Sequence, residues 1–92
     1  MVVGFRHKGL RRFYEKGSTK GIQNDHAKKL RRILAALNAA NRPADLDLPG
    51  FDLHPLKGNR EGQWSLSVNA NWRVTFRFDG NDVTNVDYLD YH

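Results

Sequence analysis

Apolar positions along this chain follow two different periods, and the change from one to the other divides it in half. In the first half they recur at helical spacing. Leu10, Phe13 and Tyr14 mark a short helix over His7 to Glu15. Ala27, Leu30, Ile33, Leu34 and Leu37 form the stripe of a second helix, which Asn24 or Asp25 can cap and which runs to about Asn41. Gly17 to Gly21 is the loop between them, and Pro43 to Leu48 allows one further helical turn before Pro49-Gly50 redirects the chain. In the second half the period falls to two. Trp64, Leu66 and Val68 alternate with Ser65, Ser67 and Asn69. Trp72, Val74, Phe76 and Phe78 alternate with Arg73, Thr75 and Arg77. These patterns predict strands with one buried and one polar face. The short connections Asn69-Ala70-Asn71 and Asp79-Gly80-Asn81-Asp82 make neighbouring strands antiparallel. Val83 to Tyr88 is a last strand leading into Asp90-Tyr91-His92, and Val2 to Arg6 reads as a short first strand.

Two helices followed by a meander predict an α+β sandwich, with two N-terminal helices packed on one face of an antiparallel-rich sheet. The opposite face, carrying Ser65, Ser67, Arg73, Thr75 and Arg77, is expected to stay open. Trp72 reads as core. The 92 residues allow one domain, 1–92, with a modest core in which ten aromatic side chains do much of the packing. The absence of cysteine removes disulfides and thiolate metal sites and fits a cytoplasmic location. No stretch has the length of a signal peptide's apolar region or of a membrane span, so no membrane partner is expected.

The net charge of +5 is concentrated at one end. Residues 1–32 hold ten Lys/Arg against two acids, leaving +8, whereas residues 33–92 hold five against eight, leaving −3. Such an imbalance suits a polyanionic partner. Lys28, Lys29, Arg31 and Arg32, on the side of the second helix away from its apolar stripe, are the first candidates to meet phosphates.

The candidate chemistry lies downstream, in His54-Pro55-Leu56-Lys57-Gly58, Asn71-Trp72-Arg73 and Asp90-Tyr91-His92. RNA carries its own nucleophile, the 2′-hydroxyl. Cleavage needs a base for that proton, an acid for the departing 5′-oxygen, and positive charge where the phosphorane gathers negative charge. Histidine, with an ordinary pKa near ~6.5, suits both proton transfers. Arginine offers a permanent charge and a planar fork that can donate to two oxygens. His54, extended by the proline that follows it, is the first imidazole. Lys57 and Arg60 lie on the glycine-flanked turn Lys57 to Gly62, which can approach a phosphate closely. Arg73 alternates with Trp72 and so faces the open side; Arg77 shares that side farther along as a backbone contact. Asn71 can hold a base or close its turn. At the tail, Asp90 can orient an imidazole or take a proton. Tyr91 can stack on a base, and the His92 ring lies beside its own carboxylate, which favours its protonated form. No metal and no cofactor is expected, since no His-x-x-x-His or comparable ligand spacing occurs.

The opening Phe5-x-His7-Lys8-Gly9-Leu10, the two internal motifs and the tail, in this order and spacing, closely resemble the HigB-type toxins of the RelE superfamily. The resemblance extends from that opening to His92. It implies the small RelE-like α+β fold and a ribosome-dependent endoribonuclease that cuts messenger RNA in the ribosomal A site and stops translation. It also implies a HigA-type helix-turn-helix antitoxin as partner, with operator DNA reached only through that antitoxin. Carried over residue by residue, it points first to His54, Asp90, Tyr91 and His92, then to Lys57 and Arg73. The division of labour stays open: Asp90 or His92 takes the 2′-proton, His54 or His92 protonates the leaving oxygen, and Arg73 with Lys57 stabilises the phosphorane. Three other readings compete. A non-catalytic RNA-binding module would use the aromatic side chains to stack bases. A DNA-binding regulator would require a tighter turn between the helices. A free ribonuclease would cut RNA without the ribosome.

Overall fold

A computed structural model describes residues 1–91, so His92, a principal candidate, lies outside the described residues. Two helices, α1 (Lys8–Lys16) and α2 (Ala27–Ala39), precede four strands: β1 (His54–Pro55), β2 (Gln63–Asn69), β3 (Trp72–Asp79) and β4 (Asp82–Asp90). The strands form one antiparallel sheet in the order β1-β2-β3-β4. The expected two-layer α+β arrangement is present. Ala27, Leu30, Ile33, Leu34 and Leu37 of α2 are all buried, as are Leu66, Val68, Val74 and Phe76 of the sheet. Leu46 and Phe51, from the long connection after α2, close the core at the β1 end.

Several expectations are corrected. The N-terminal segment forms no regular strand. It lies parallel to β4 through two isolated bridges, Val2 to Val83 and Phe5 to Val86, with Val3 and Arg6 donating to the carbonyls of Val83 and Val86 at 2.8 Å each. The reason is a bulge in β4: Asn85 has φ 57°, and the β3–β4 register slips between Thr75 and Arg77. An extra residue at that point interrupts any long ladder along the edge. Neither Asn24 nor Asp25 caps α2. The chain enters through a 3-10 turn, Asn24–His26, with no side-chain cap bond. The short helix begins one residue later than read, because His7 is its cap, with Nδ1 accepting from the Leu10 amide at 2.9 Å. Trp72 and Phe78 are half-buried at the margin of the core.

The polar face is also less open than the alternation implied. Ser65 and Thr75, on the side away from the helices, are both fully buried. Antiparallel register sets them in one row: His54 is opposite Ser65, Ser65 opposite Thr75, and Thr75 opposite Asp87. Directly opposed residues project from the same face. This row is therefore the floor on which the candidate side chains stand.

Helix α1 approaches the loop before α2 without intervening side chains. A Cβ on Gly9 would come within 2.6 Å of the Gly21 carbonyl oxygen and 2.8 Å of its Cα. In an isolated helix alanine would be favoured over glycine by about 1 kcal/mol. Here the obstacle is backbone, and such overpacking costs roughly 1–3 kcal/mol. Gly9→Ala is thus expected to lower stability by about 1 kcal/mol or more, measured by urea unfolding; a rise in the unfolding midpoint would show that this crossing relaxes freely.

Candidate active site

The two-residue strand β1 holds His54 at the sheet edge, beside Ser65 of β2. The imidazole Nδ1 lies 3.1 Å from the Asp52 carbonyl oxygen. A carbonyl can only accept, so Nδ1 carries the proton of this bond. In neutral His54 the other nitrogen, Nε2, then presents a lone pair, and it is the atom able to exchange a proton.

Asp52 also turns to β3. Its carboxylate Oδ2 accepts from the Arg73 guanidinium at 3.3 Å. One residue therefore joins the imidazole and the guanidinium, through its backbone and its side chain respectively. Doing both requires an unusual backbone: Asp52 has φ 50°, in the left-handed region that aspartate tolerates better than most residues. Asp52 was not singled out by sequence. An Asp two residues before a His-Pro step is only a weak signal, and its pairing with Arg73 spans 21 positions.

Arg60 closes the other side. It ends the 3-10 turn Gly58–Arg60 and reaches back over the sheet. Its guanidinium donates to the Tyr91 hydroxyl at 2.7 Å, to Gln63 Oε1 at 3.4 Å and to Thr75 Oγ1 at 3.5 Å. This contact covers the hydroxyl row and explains the burial of Thr75. Lys57, at the start of the same turn, is exposed. It borders a hollow of about 380 Å³ shared with Pro55, Glu61, Gln63 and Trp64. Arg77 is exposed on the same face, in register with Gln63 and Thr84.

At the tail, Tyr91 donates its amide to the Asn71 carbonyl at 2.6 Å, so the Asn71 backbone anchors Tyr91. Tyr91 is about one-third exposed and faces Arg60. Asp90 is parted from it. In register it is opposite Trp72, on the side of the sheet that carries Tyr88 and the helices. Burial pushes the Tyr88 phenol above its ordinary value, and the Asp90 charge raises it further. The structure thus brings together His54, Arg73, Arg60 and Tyr91 on one face, with Lys57 at the margin, and sets Asp90 on the other.

Around Tyr88 lies a second cluster. His26 is buried with Nδ1 2.6 Å from the Tyr88 hydroxyl, and its ring meets Trp72 edge-on at 5.5 Å. Trp72 and Tyr88 stack at 4.5 Å, and His7 packs edge-on to Tyr88 at 5.3 Å. These two histidines belong to the packing between helices and sheet.

The basic side of α2 is partly engaged within the molecule. Lys29 Nζ donates to the Gly50 carbonyl at 2.6 Å, Arg32 lies over the Phe51 ring and Arg31 over Phe13. Lys28, Lys29 and Arg32 border a hollow of about 300 Å³ with His26 and Asn69. Among the described residues, no three His, Asp or Glu side chains form a metal-ligating group, and no helix is long and apolar enough to cross a membrane.

Comparison with known proteins adds the family. A family model described as the RelE-like toxin of type II toxin–antitoxin system HigB matches residues 3–92. The chain is 42% identical over 92 residues to the endoribonuclease HigB of Proteus vulgaris, covering the whole of both proteins. It is 34% identical over 94 residues to toxin HigB-1 of Vibrio cholerae, covering 100% of this chain and 98% of that protein. Among solved structures, the YoeB–YefM complex from Staphylococcus aureus matches with a TM-score of 0.64 at 20% identity, covering 100% of this chain and 98% of that one. The YoeB/ParE toxin from Agrobacterium tumefaciens matches at 0.61 and 18% identity, with 100% and 99% covered. These two share the fold. With the sequence match running from residue 3 to residue 92, the chain belongs to the HigB-like family of RelE-like toxins of type II toxin–antitoxin systems.

Proposed function

We propose that this toxin is an endoribonuclease that cuts messenger RNA in the ribosomal A site by metal-free attack of the 2′-hydroxyl. The observation that carries this reading is the joining of His54 and Arg73 through Asp52, at 3.1 and 3.3 Å, on the sheet face away from the helices. A proton-exchanging nitrogen held beside a fixed cation is what phosphodiester transfer requires. The relative named endoribonuclease HigB, 42% identical along the whole chain, supports the same activity.

In this reading His54 Nε2 carries one of the two proton transfers. As the 2′-oxygen bonds to phosphorus, its proton leaves to a base and the bond to the 5′-oxygen breaks. Protonated His54 then gives its Nε2 proton to that oxygen, leaving a 2′,3′-cyclic phosphate. The complementary transfer falls to the tail, to His92 or Asp90. The register of Asp90, facing Trp72, favours His92 for this task. Arg73 and Lys57 lend positive charge to the phosphorane. Such acid–base help is worth roughly 10²–10⁴-fold, and preorganised charge commonly more. The exposed Lys28 and Arg31, with Lys29 and Arg32 beside them, hold ribosomal RNA phosphates. A HigA-type helix-turn-helix protein is the antitoxin, through which operator DNA is reached.

The test is to map transcript ends in a translation mixture. The intact protein is expected to yield A-site cuts ending in a 2′,3′-cyclic or 3′-phosphate, and His54→Ala to cut at least ~100-fold more slowly. Binding without new ends would instead support the stacking module, and equal cutting of naked RNA the free ribonuclease.

Docking has its own measurement. Lys28 is exposed and Arg31 lies over Phe13, whereas Lys29 and Arg32 hold Gly50 and Phe51, the residues before Asp52. Lys28→Glu with Arg31→Glu is therefore expected to weaken ribosome association and make its log–log salt dependence shallower by about two units. An unchanged slope would reject phosphate contact by α2.

A further inference from the structure

Three arginines lie on the side of the sheet away from the helices, and they are not equivalent. Arg73 is only 21% exposed and is paired with the Asp52 carboxylate at 3.3 Å, so its charge is already answered. Arg77 projects into solvent. Arg60 differs from both. The three groups that receive its N–H bonds, the Tyr91 hydroxyl, the Gln63 amide oxygen and the Thr75 hydroxyl, are all neutral. Among the described residues it forms no ion pair. The guanidinium is therefore oriented without being neutralised.

Its bonds also differ in strength. A guanidinium has five N–H donors, and three are directed at these acceptors, which leaves two for an incoming group. The 2.7 Å bond to Tyr91 is firm, whereas those at 3.4 and 3.5 Å lie at the weak end of the range. A phosphate oxygen, bearing charge, forms bonds roughly twice as strong as a neutral acceptor's. It can draw the two longer bonds to itself while Tyr91 keeps the side chain in place. Beneath lies Ser65, whose Oγ is buried without a hydrogen-bond partner. Ser65 stands in the same row as Thr75 and directly opposite His54. The row therefore keeps unspent hydrogen-bonding capacity under the arginine and next to the imidazole.

We propose that Arg60 is a catalytic residue, the cation that receives the scissile phosphate and stabilises the phosphorane, with Tyr91, Gln63 and Thr75 as the cradle that aims it. Arg73 and Lys57 then add positive charge around it, and Arg73 also fixes Asp52, whose carbonyl holds the His54 ring. The proposal rests on the endoribonuclease reading, and extends it by assigning the scissile phosphate to Arg60, which sequence alone placed on a glycine-flanked turn able to approach a phosphate.

Single-turnover cleavage of A-site message at saturating toxin tests it, comparing the intact chain with Arg60→Gln, Arg60→Lys, Tyr91→Phe and the double variant Arg60→Gln/Tyr91→Phe. Arg60→Gln is expected to slow cleavage at least ~100-fold, with ribosome affinity changed less than about twofold and the double variant slower than Tyr91→Phe alone. A sulfur replacing a non-bridging oxygen at the scissile phosphate should slow the intact protein more than Arg60→Gln. Loss of less than about threefold, or a double variant no slower than Tyr91→Phe, would overturn the assignment; the latter would leave Arg60 as a positioning residue for Tyr91. If glutamine disturbs the thermal melt, Arg60→Lys decides. Keeping charge but losing the fork, it should cost about tenfold or more, and full activity would overturn the proposal. If the intact protein makes no A-site cuts, the reading of the previous section fails; if it cuts normally and Arg60→Gln does too, this assignment alone fails.

Discussion

The candidate face, with Ser65, Thr75 and Arg73, is placed by the pairing of β2 with β3. The side-chain period of a strand is two, so a slip of one residue would send every group on that face into the core. Leu66, Val74 and Phe76, all fully buried, prevent such a slip. Their burial fixes Ser65 against Thr75 and Ser67 against Arg73, and β1 then brings His54 to the end of the same row. The core thus determines the chemistry indirectly. Its apolar residues choose the register, and the register decides which polar groups become neighbours.

The charges around this row contribute geometry more than stability. The Arg73–Asp52 pair has one partner 67% exposed, and such pairs are worth about 0–1 kcal/mol. Against that stands the left-handed backbone of Asp52, which costs a residue other than glycine free energy of the same order. Strain of this kind persists where surrounding structure imposes it. Here the imposing contacts are visible: Phe51 is buried in the core immediately before Asp52, and its carbonyl accepts from the Ser67 amide at 2.7 Å. The chain is pinned to the sheet at residue 51 and enters β1 at residue 54, leaving Asp52 and Leu53 to make the turn.

What sequence makes legible here follows from periodicity. Both helices, the three long strands, their antiparallel order and the buried stripe of α2 all rest on repeated spacing, and repetition survives local irregularity. The candidates His54, Arg73 and Tyr91 stand out in the sequence because each belongs to a short distinctive string, and the fold sets them on one face. The illegible part involves single residues acting out of period. Asp52 joins two candidates through a backbone angle that no pattern announces. Arg60 was legible only as part of a turn able to approach a phosphate, because its reach to Tyr91 and Thr75 depends on the turn's three-dimensional course. The bulge at Asn85 offsets β4 by one position, so no count along the strand could place the tail beforehand. Once the register is known, Asp90 and Tyr91 fall on opposite faces.

That separation links the two faces of the molecule. Trp72 and Arg73 are adjacent on β3, one packed against Tyr88 and His26, the other bonded to Asp52. Asp90 and Tyr91 repeat the arrangement at the end of β4, one opposite Trp72 and the other bonded to Arg60. The start of α2 meets this junction through His26, and farther along α2 Lys29 and Arg32 hold Gly50 and Phe51, the residues that lead into Asp52. The basic helix therefore touches both the Tyr88 cluster and the loop before Asp52. Lys29 cannot leave the Gly50 carbonyl without releasing one of the contacts that hold that loop. In this small domain the same side chains serve both surfaces, which is why a strongly basic helix can be part of the scaffold as well as an exposed charge.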